Sequence, residues 1–178
     1  MPEGAAAALE RAFREIHATR MRGLPFVNGA LDVEAVGFVR WHEHWLGALV
    51  TPWFMNLVML PGDPRHWTSL PVGESCSYAF PAGVFDFIAG FEPQVGEFQS
   101  CSLFSPMFEF EDQESARLTA QEALRALFDV GNAQQPDEGS TPIAASPDPV
   151  ALPVSAPPLS KRDFLRGDFL ARPHEPDR

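Results

Sequence analysis

Cysteine is scarce in this sequence: Cys76 and Cys101 are the two present, with no CxxC pair and no zinc-like spacing. Basic residues are few as well, 13 Lys and Arg against 24 Asp and Glu, for a net charge of -11. Phosphate neutralisation needs clustered Lys and Arg, so nucleic acid is excluded as the main ligand. The N-terminus carries acidic residues where a signal peptide needs a basic region. The longest apolar-rich stretch, Leu46 to Leu60, is broken by Thr51, Pro52 and Asn56 and is too short to span a bilayer. There is no phosphate-cradling Gly loop, no GxSxG elbow and no HExxH. These absences lead to the expectation of a cytoplasmic chain with reduced thiols and no stable membrane insertion. They nominate no catalytic residue and no cofactor.

Apolar residues make up 45% of the chain and include fifteen Phe, enough to fill a core without disulfide staples. Proline is plentiful at 18, and seven of these lie between Pro136 and Pro158 in a stretch without aromatics. The chain therefore divides into a domain over 1–131, a Pro-rich linker over 132–159, expected to be disordered, and a tail over 160–178. Charge divides unevenly too: -9, -3 and +1 in that order. An acidic body suits a cationic partner, although a solvated surface explains the same number.

Leu9, Ala12, Phe13, Ile16 and Met21 fall near helical spacing, which predicts an amphipathic helix from about Glu3 to Met21, stopped by Gly23 and Pro25. Strands are predicted over Val33–Trp41, Trp45–Thr51 and Trp53–Leu60, the last two apolar enough to be covered on both faces. Pro61-Gly62-Asp63-Pro64 marks a loop. Ser75–Phe80, Val84–Phe91 and Glu97–Phe104 read as a second β group, with Pro81-Ala82-Gly83 as a turn. A second helix starts near Asp112, buries Ala116, Ala120, Ala123, Leu124, Leu127 and Phe128, and ends at Gly131. The fold class is α+β: an antiparallel sheet of five or six strands packed with an N-terminal and a C-terminal helix.

His42 and His44 would share a face if they lay on a strand, but no third metal ligand stands at a convincing spacing, and a turn explains them as well. No metal site is assigned. Neither cysteine sits in a recognisable nucleophile context. The unusual material is apolar. Thr51-Pro52-Trp53-Phe54-Met55-Asn56-Leu57 and Leu103-Phe104-Ser105-Pro106-Met107-Phe108-Glu109-Phe110 are two Pro-interrupted clusters of Met and aromatics. Proline removes a ladder donor and lies at strand edges, where Met and Phe make an adaptable surface for apolar peptides. Trp53, Phe54, Met55, Asn56, Phe104, Pro106, Met107 and Phe108 are the candidate client-binding residues.

Those stretches, with Met21-Arg22-Gly23-Leu24-Pro25-Phe26-Val27-Asn28 and Leu70-Pro71-Val72-Gly73-Glu74-Ser75, resemble the hallmark segments of the HybE/HupJ family, in order across 1–131. The resemblance implies a non-enzymatic maturation chaperone for uptake [NiFe]-hydrogenases. Such a chaperone holds hydrogenase subunit precursors in the cytoplasm until cofactors are inserted. Implied partners are the small-subunit precursor with its twin-arginine signal peptide, the large subunit and other maturation proteins. Some relatives are fused to a rubredoxin, whose iron site needs four cysteines; with two, no such fusion is expected here. The contrasting readings are a chaperone for a different exported client and a metal or redox accessory enzyme of cofactor assembly.

The tail holds one further signal. Ser160-Lys161-Arg162-Asp163-Phe164-Leu165-Arg166 resembles the twin-arginine export motif, with lysine in place of the first arginine. At this end of the chain, with no apolar span after it, it cannot be an export signal. Either a basic tail matches a short pattern by chance, or the tail imitates a client.

Overall fold

In the computed structural model, residues 2–132 are described. The Pro-rich stretch from 133 and the tail with Ser160, Lys161, Arg162, Phe164, Leu165 and Arg166 lie outside them. The order of elements is α1 (Pro2–Thr19), β1 (Glu34–Trp41), β2 (His44–Val50), β3 (Met55–Pro61), β4 (Ser75–Phe80), β5 (Gly83–Glu92), β6 (Gly96–Phe104) and α2 (Gln113–Phe128), followed by a short 3-10 turn at Val130–Asn132. The six strands form one sheet in the order β1-β2-β3-β6-β5-β4, every neighbouring pair antiparallel.

Successive strand side chains point to opposite faces, so a strand apolar at every position needs cover on both. The near-continuous apolar runs of β2 and β3 receive it. Leu46, Ala48, Val50, Leu57 and Met59 pack with the α2 stripe, while Leu49, Val58 and Leu60 pack with Leu9, Ala12 and Phe13 of α1. One helix therefore lies on each face. Each fully buried Leu or Phe contributes about 1.5–3 kcal/mol, so these two layers dominate the stability of the domain.

The sheet is strongly curled. Trp41, at the end of edge strand β1, stacks on Phe80 of the opposite edge strand β4 with ring centroids 4.6 Å apart, and meets Tyr78 edge-on at 5.8 Å. The α2 side is the enclosed one. At its far end, Ala82 in the two-residue turn between β4 and β5 donates to the Leu127 carbonyl, and Phe128 packs edge-on against Phe80. A bulge in β1 at Gly37, with φ of +64°, brings the strand so close to α2 that a Cβ there would stand 2.7 Å from Leu124 Cδ1.

Asp112 caps α2: its carboxylate accepts from the Ser115 amide at 2.7 Å, as the sequence predicts. Of the predicted stripe, Ala116, Ala120, Ala123, Leu124 and Leu127 are buried, but Phe128 is 40% exposed because it ends the helix at the rim of the curl.

Candidate functional site

Three of the hallmark segments meet at one end of the sheet, and Asn28 joins them. Its amide N–H donates to the Pro52 carbonyl at 2.7 Å. Its side-chain NH2 donates to the carbonyls of Met107 at 3.0 Å and Phe110 at 2.8 Å, and its side-chain oxygen accepts from the Ala30 amide. One side chain thus satisfies two carbonyls of a loop that has no ladder partner. Asn28 is absent from the residues nominated from sequence. Its signal was an Asn closing a Gly- and Pro-containing loop, which fits many roles.

The turn from β2 to β3 is held from within. The Thr51 hydroxyl accepts from the amides of Trp53 and Phe54, and the Phe54 carbonyl accepts from the Thr51 amide and hydroxyl. α1 lies over this turn: Phe54 meets Phe13 edge-on at 5.8 Å, and Trp53 packs on His17 at 5.7 Å. Trp53 and Met55 are therefore core, 9% and 0% exposed, and Phe54 is half-buried. Asn56 lies within β3, opposite Leu49 and Ser102, half-buried and with its side-chain oxygen unpartnered.

The second cluster behaves otherwise. β6 ends at Phe104, the Ser105-Pro106 peptide that follows is cis, and Met107 points inward. Met107 is fully buried and Phe104 meets Phe110 edge-on at 5.2 Å. Pro106, Phe108 and Glu109 point out, and Phe108 is 58% exposed. A groove of ≈ 480 Å³ is lined by Leu103, Phe104, Ser105, Pro106, Phe108 and Glu109. The expectation of one surface made from both clusters is thus corrected: Trp53, Met55 and Met107 are structural, and the open part is Phe104, Pro106 and Phe108.

Glu109 lines the groove, and Glu111, Asp112 and Glu114 follow it along the chain into the start of α2. Hydrogen bonds from the Ser115 amide and hydroxyl hold the Asp112 carboxyl below its ordinary range. Glu114 pairs with Arg117, whereas Glu109 and Glu111 take part in no ion pair among the described residues. The start of α2 is fixed against β1 by Glu34, which receives Arg117 Nε at 2.6 Å and Gln113 Nε2 at 2.7 Å. Burial pushes the Glu34 carboxyl up, but these two donors outweigh it and hold it below its ordinary value.

His42 stands in the two-residue turn between β1 and β2, and His44 opens β2. His42 is exposed, in the left-handed region at φ of 50°, while His44 is buried and meets Trp67 edge-on at 5.3 Å. Burial, then the charge of nearby His66, lowers the His44 pKa, so the ring is neutral. Ligand atoms of Glu43, Asp63 and His66 gather within 4.8 Å, but Arg40 and Arg65 reach the two carboxylates at 2.6 Å each. Their charge is already balanced. The Cys76 thiol donates to Gln99 Oε1 at 3.1 Å, and the Tyr78 hydroxyl donates to the same oxygen at 2.6 Å. Both bonds are donated to an amide oxygen, and neither puts a general base beside the thiol.

Over residues 4–167 the chain matches the family described as "[NiFe]-hydrogenase assembly, chaperone, HybE". It belongs to that family. The match continues past residue 131, where the resemblance of segments stops being legible, and closes at Gly167 beyond the twin-arginine-like run. Protein HoxT of Cupriavidus necator is 46% identical over 170 residues, covering 89% of this chain and 86% of its own. The hydrogenase expression/formation protein HupJ of Bradyrhizobium diazoefficiens is 38% identical, covering 92% of this chain and 88% of its own. The solution structure of HybE from Escherichia coli superposes with a TM-score of 0.59 at 25% identity, over 82% of this chain and 91% of that one. The HybE family thus accounts for the curled six-stranded sheet with a helix on each face.

Proposed function

We propose that this member of the hydrogenase assembly chaperone family is a non-enzymatic, cytoplasmic holding factor for the hydrogenase small-subunit precursor, and that it grips the twin-arginine signal peptide at the Phe104–Glu109 groove. The observation that carries this reading is an exposed Phe108 and Pro106 beside Glu109 in one groove, with Glu111, likewise in no ion pair among the described residues, two positions further along the chain. A signal peptide offers a basic n-region followed by an apolar stretch, and each half finds its complement there. Scattered exposed apolar residues are ordinary. A Phe held out beside a groove, on a loop that two Asn28 hydrogen bonds fix, is a built feature. No helix among the described residues is long and apolar enough to cross a membrane.

The test is co-expression of the tagged chaperone with the small-subunit precursor, followed by pull-down with and without the signal peptide on the client. Capture should need the signal peptide. Equal capture of the mature small subunit, or capture of the large subunit alone, would move the client contact elsewhere. A different exported protein in its place would keep the groove and change the client.

A further inference from the structure

We propose that Ser160–Arg166 of this same chain is the resident occupant of the groove, which an incoming client must displace. The proposal rests on the reading of the groove as the client surface. Complementarity is the first argument. Phe164-Leu165 supplies an apolar pair for Phe104, Pro106 and Phe108, and Lys161, Arg162 and Arg166, less the charge of Asp163, bring a net +2 to the unpaired Glu109 and Glu111. The body over 1–131 carries -9 and the tail over 160–178 carries +1, so the tail has an acidic target within its own molecule.

Reach is the second. Glu109 lies three residues before the α2 cap, so the groove sits at the N-terminal end of that helix. α2 has 16 residues and carries the chain about 24 Å away. Residues 133–159 then separate it from Ser160, and 27 residues span up to about 90 Å when fully extended. A return of about 24 Å uses less than a third of that. The third argument is the span of the family match, which ends at Gly167, one residue beyond Arg166. The family match thus runs past α2 and over these residues.

The chemistry gives the arrangement a use. An apolar groove left open invites weak or wrong clients, and an intramolecular occupant of modest affinity sets a threshold. With an effective concentration of order millimolar and an affinity in trans of order 100 µM, the segment fills the groove about nine-tenths of the time. Only a peptide that binds better displaces it.

The experiment compares the full-length chain with the full-length double variant Arg162→Glu, Phe164→Ser by two readouts, with the melting temperature of each as a folding control. In amide NMR spectra, signals of Leu103 to Glu111 should differ between the two proteins, and a synthetic peptide of residues 158–172 added to the variant should restore the wild-type positions. In a titration with a labelled peptide carrying an Arg-Arg-x-Phe-Leu core, the variant should bind about tenfold tighter than wild type. Unchanged groove signals, or equal peptide affinity for both proteins, overturns the proposal. If the peptide binds both equally and does move the groove signals, the client reading survives alone. If it binds without moving them, both fall. Groove signals that answer to the tail while no signal peptide binds would keep the tail contact and overturn the client reading.

Discussion

Two clusters of similar composition, Thr51–Leu57 and Leu103–Phe110, meet opposite fates at the same end of the sheet. Each has a small hydroxyl residue before a proline, then Met and aromatics. In the first, α1 lies over the turn, and Trp53 and Met55 become core. In the second, Met107 is buried while Phe108, one position later, is 58% exposed. Local composition marks both as the end of a strand. What separates them is a helix about forty residues upstream of one and about ninety upstream of the other, a contact that no local pattern encodes. Aromatic-rich, proline-broken runs therefore show where a sheet ends and leave open which of them faces a partner.

The comparison breaks most visibly at Trp53. Trp53→Ala should destabilise the domain by about 3–5 kcal/mol, on the order of 10–20 °C in melting temperature. It should lose client capture only as it loses fold. A nearly unchanged melt in differential scanning calorimetry would mean that α1 does not hold the first cluster down. Asn28→Ala comes next. It takes the side-chain donor from the Phe110 carbonyl and one of two donors from the Met107 carbonyl, which keeps the Phe110 amide, and should cost about 1–3 kcal/mol. Hydrogen exchange should rise in residues 105–111 well before it rises in β2 or β3; a uniform rise would remove Asn28 as the specific clamp of the groove.

A smaller effect concerns acid. The folded Glu34 carboxyl lies below its ordinary value of 4.5, so the unfolded chain binds that proton more readily. Its contribution is fully present above pH 4.5 and is lost as pH falls through the folded value. In urea titrations, Glu34→Gln should be less stable than wild type at pH 7, with the gap closing below pH 4.5. A gap independent of pH would assign the loss to packing.

Much of the frame was legible because it follows from near-neighbour patterns. Ser75–Phe80 was bounded by the Pro81-Ala82-Gly83 turn, and Asp112 announced α2 through its capping chemistry. Continuous apolar runs in β2 and β3 showed that both faces would be covered. The curl was not legible, because the stacking of Trp41 on Phe80 joins strands at opposite edges of the sheet. The candidate surface was legible in place but not in extent: of the eight residues nominated, the sequence pattern could not tell the inward Met107 from the outward Phe108 one position later. Asn28 stood inside a recognised segment, yet its three partners come from loops far along the chain.

The smallest effect on stability should accompany the largest effect on binding, and that contrast tests the account most directly. Phe108→Asp alters a side chain that is 58% exposed, so the melting temperature should change by no more than about 0.5 kcal/mol of stability implies. Titration of purified small-subunit precursor, followed by fluorescence anisotropy, should show capture by the wild type and at least a tenfold weaker affinity for Phe108→Asp at an unchanged melt. Equal affinity for the two proteins would contradict the assignment of the Phe104–Glu109 groove as the surface that holds the client.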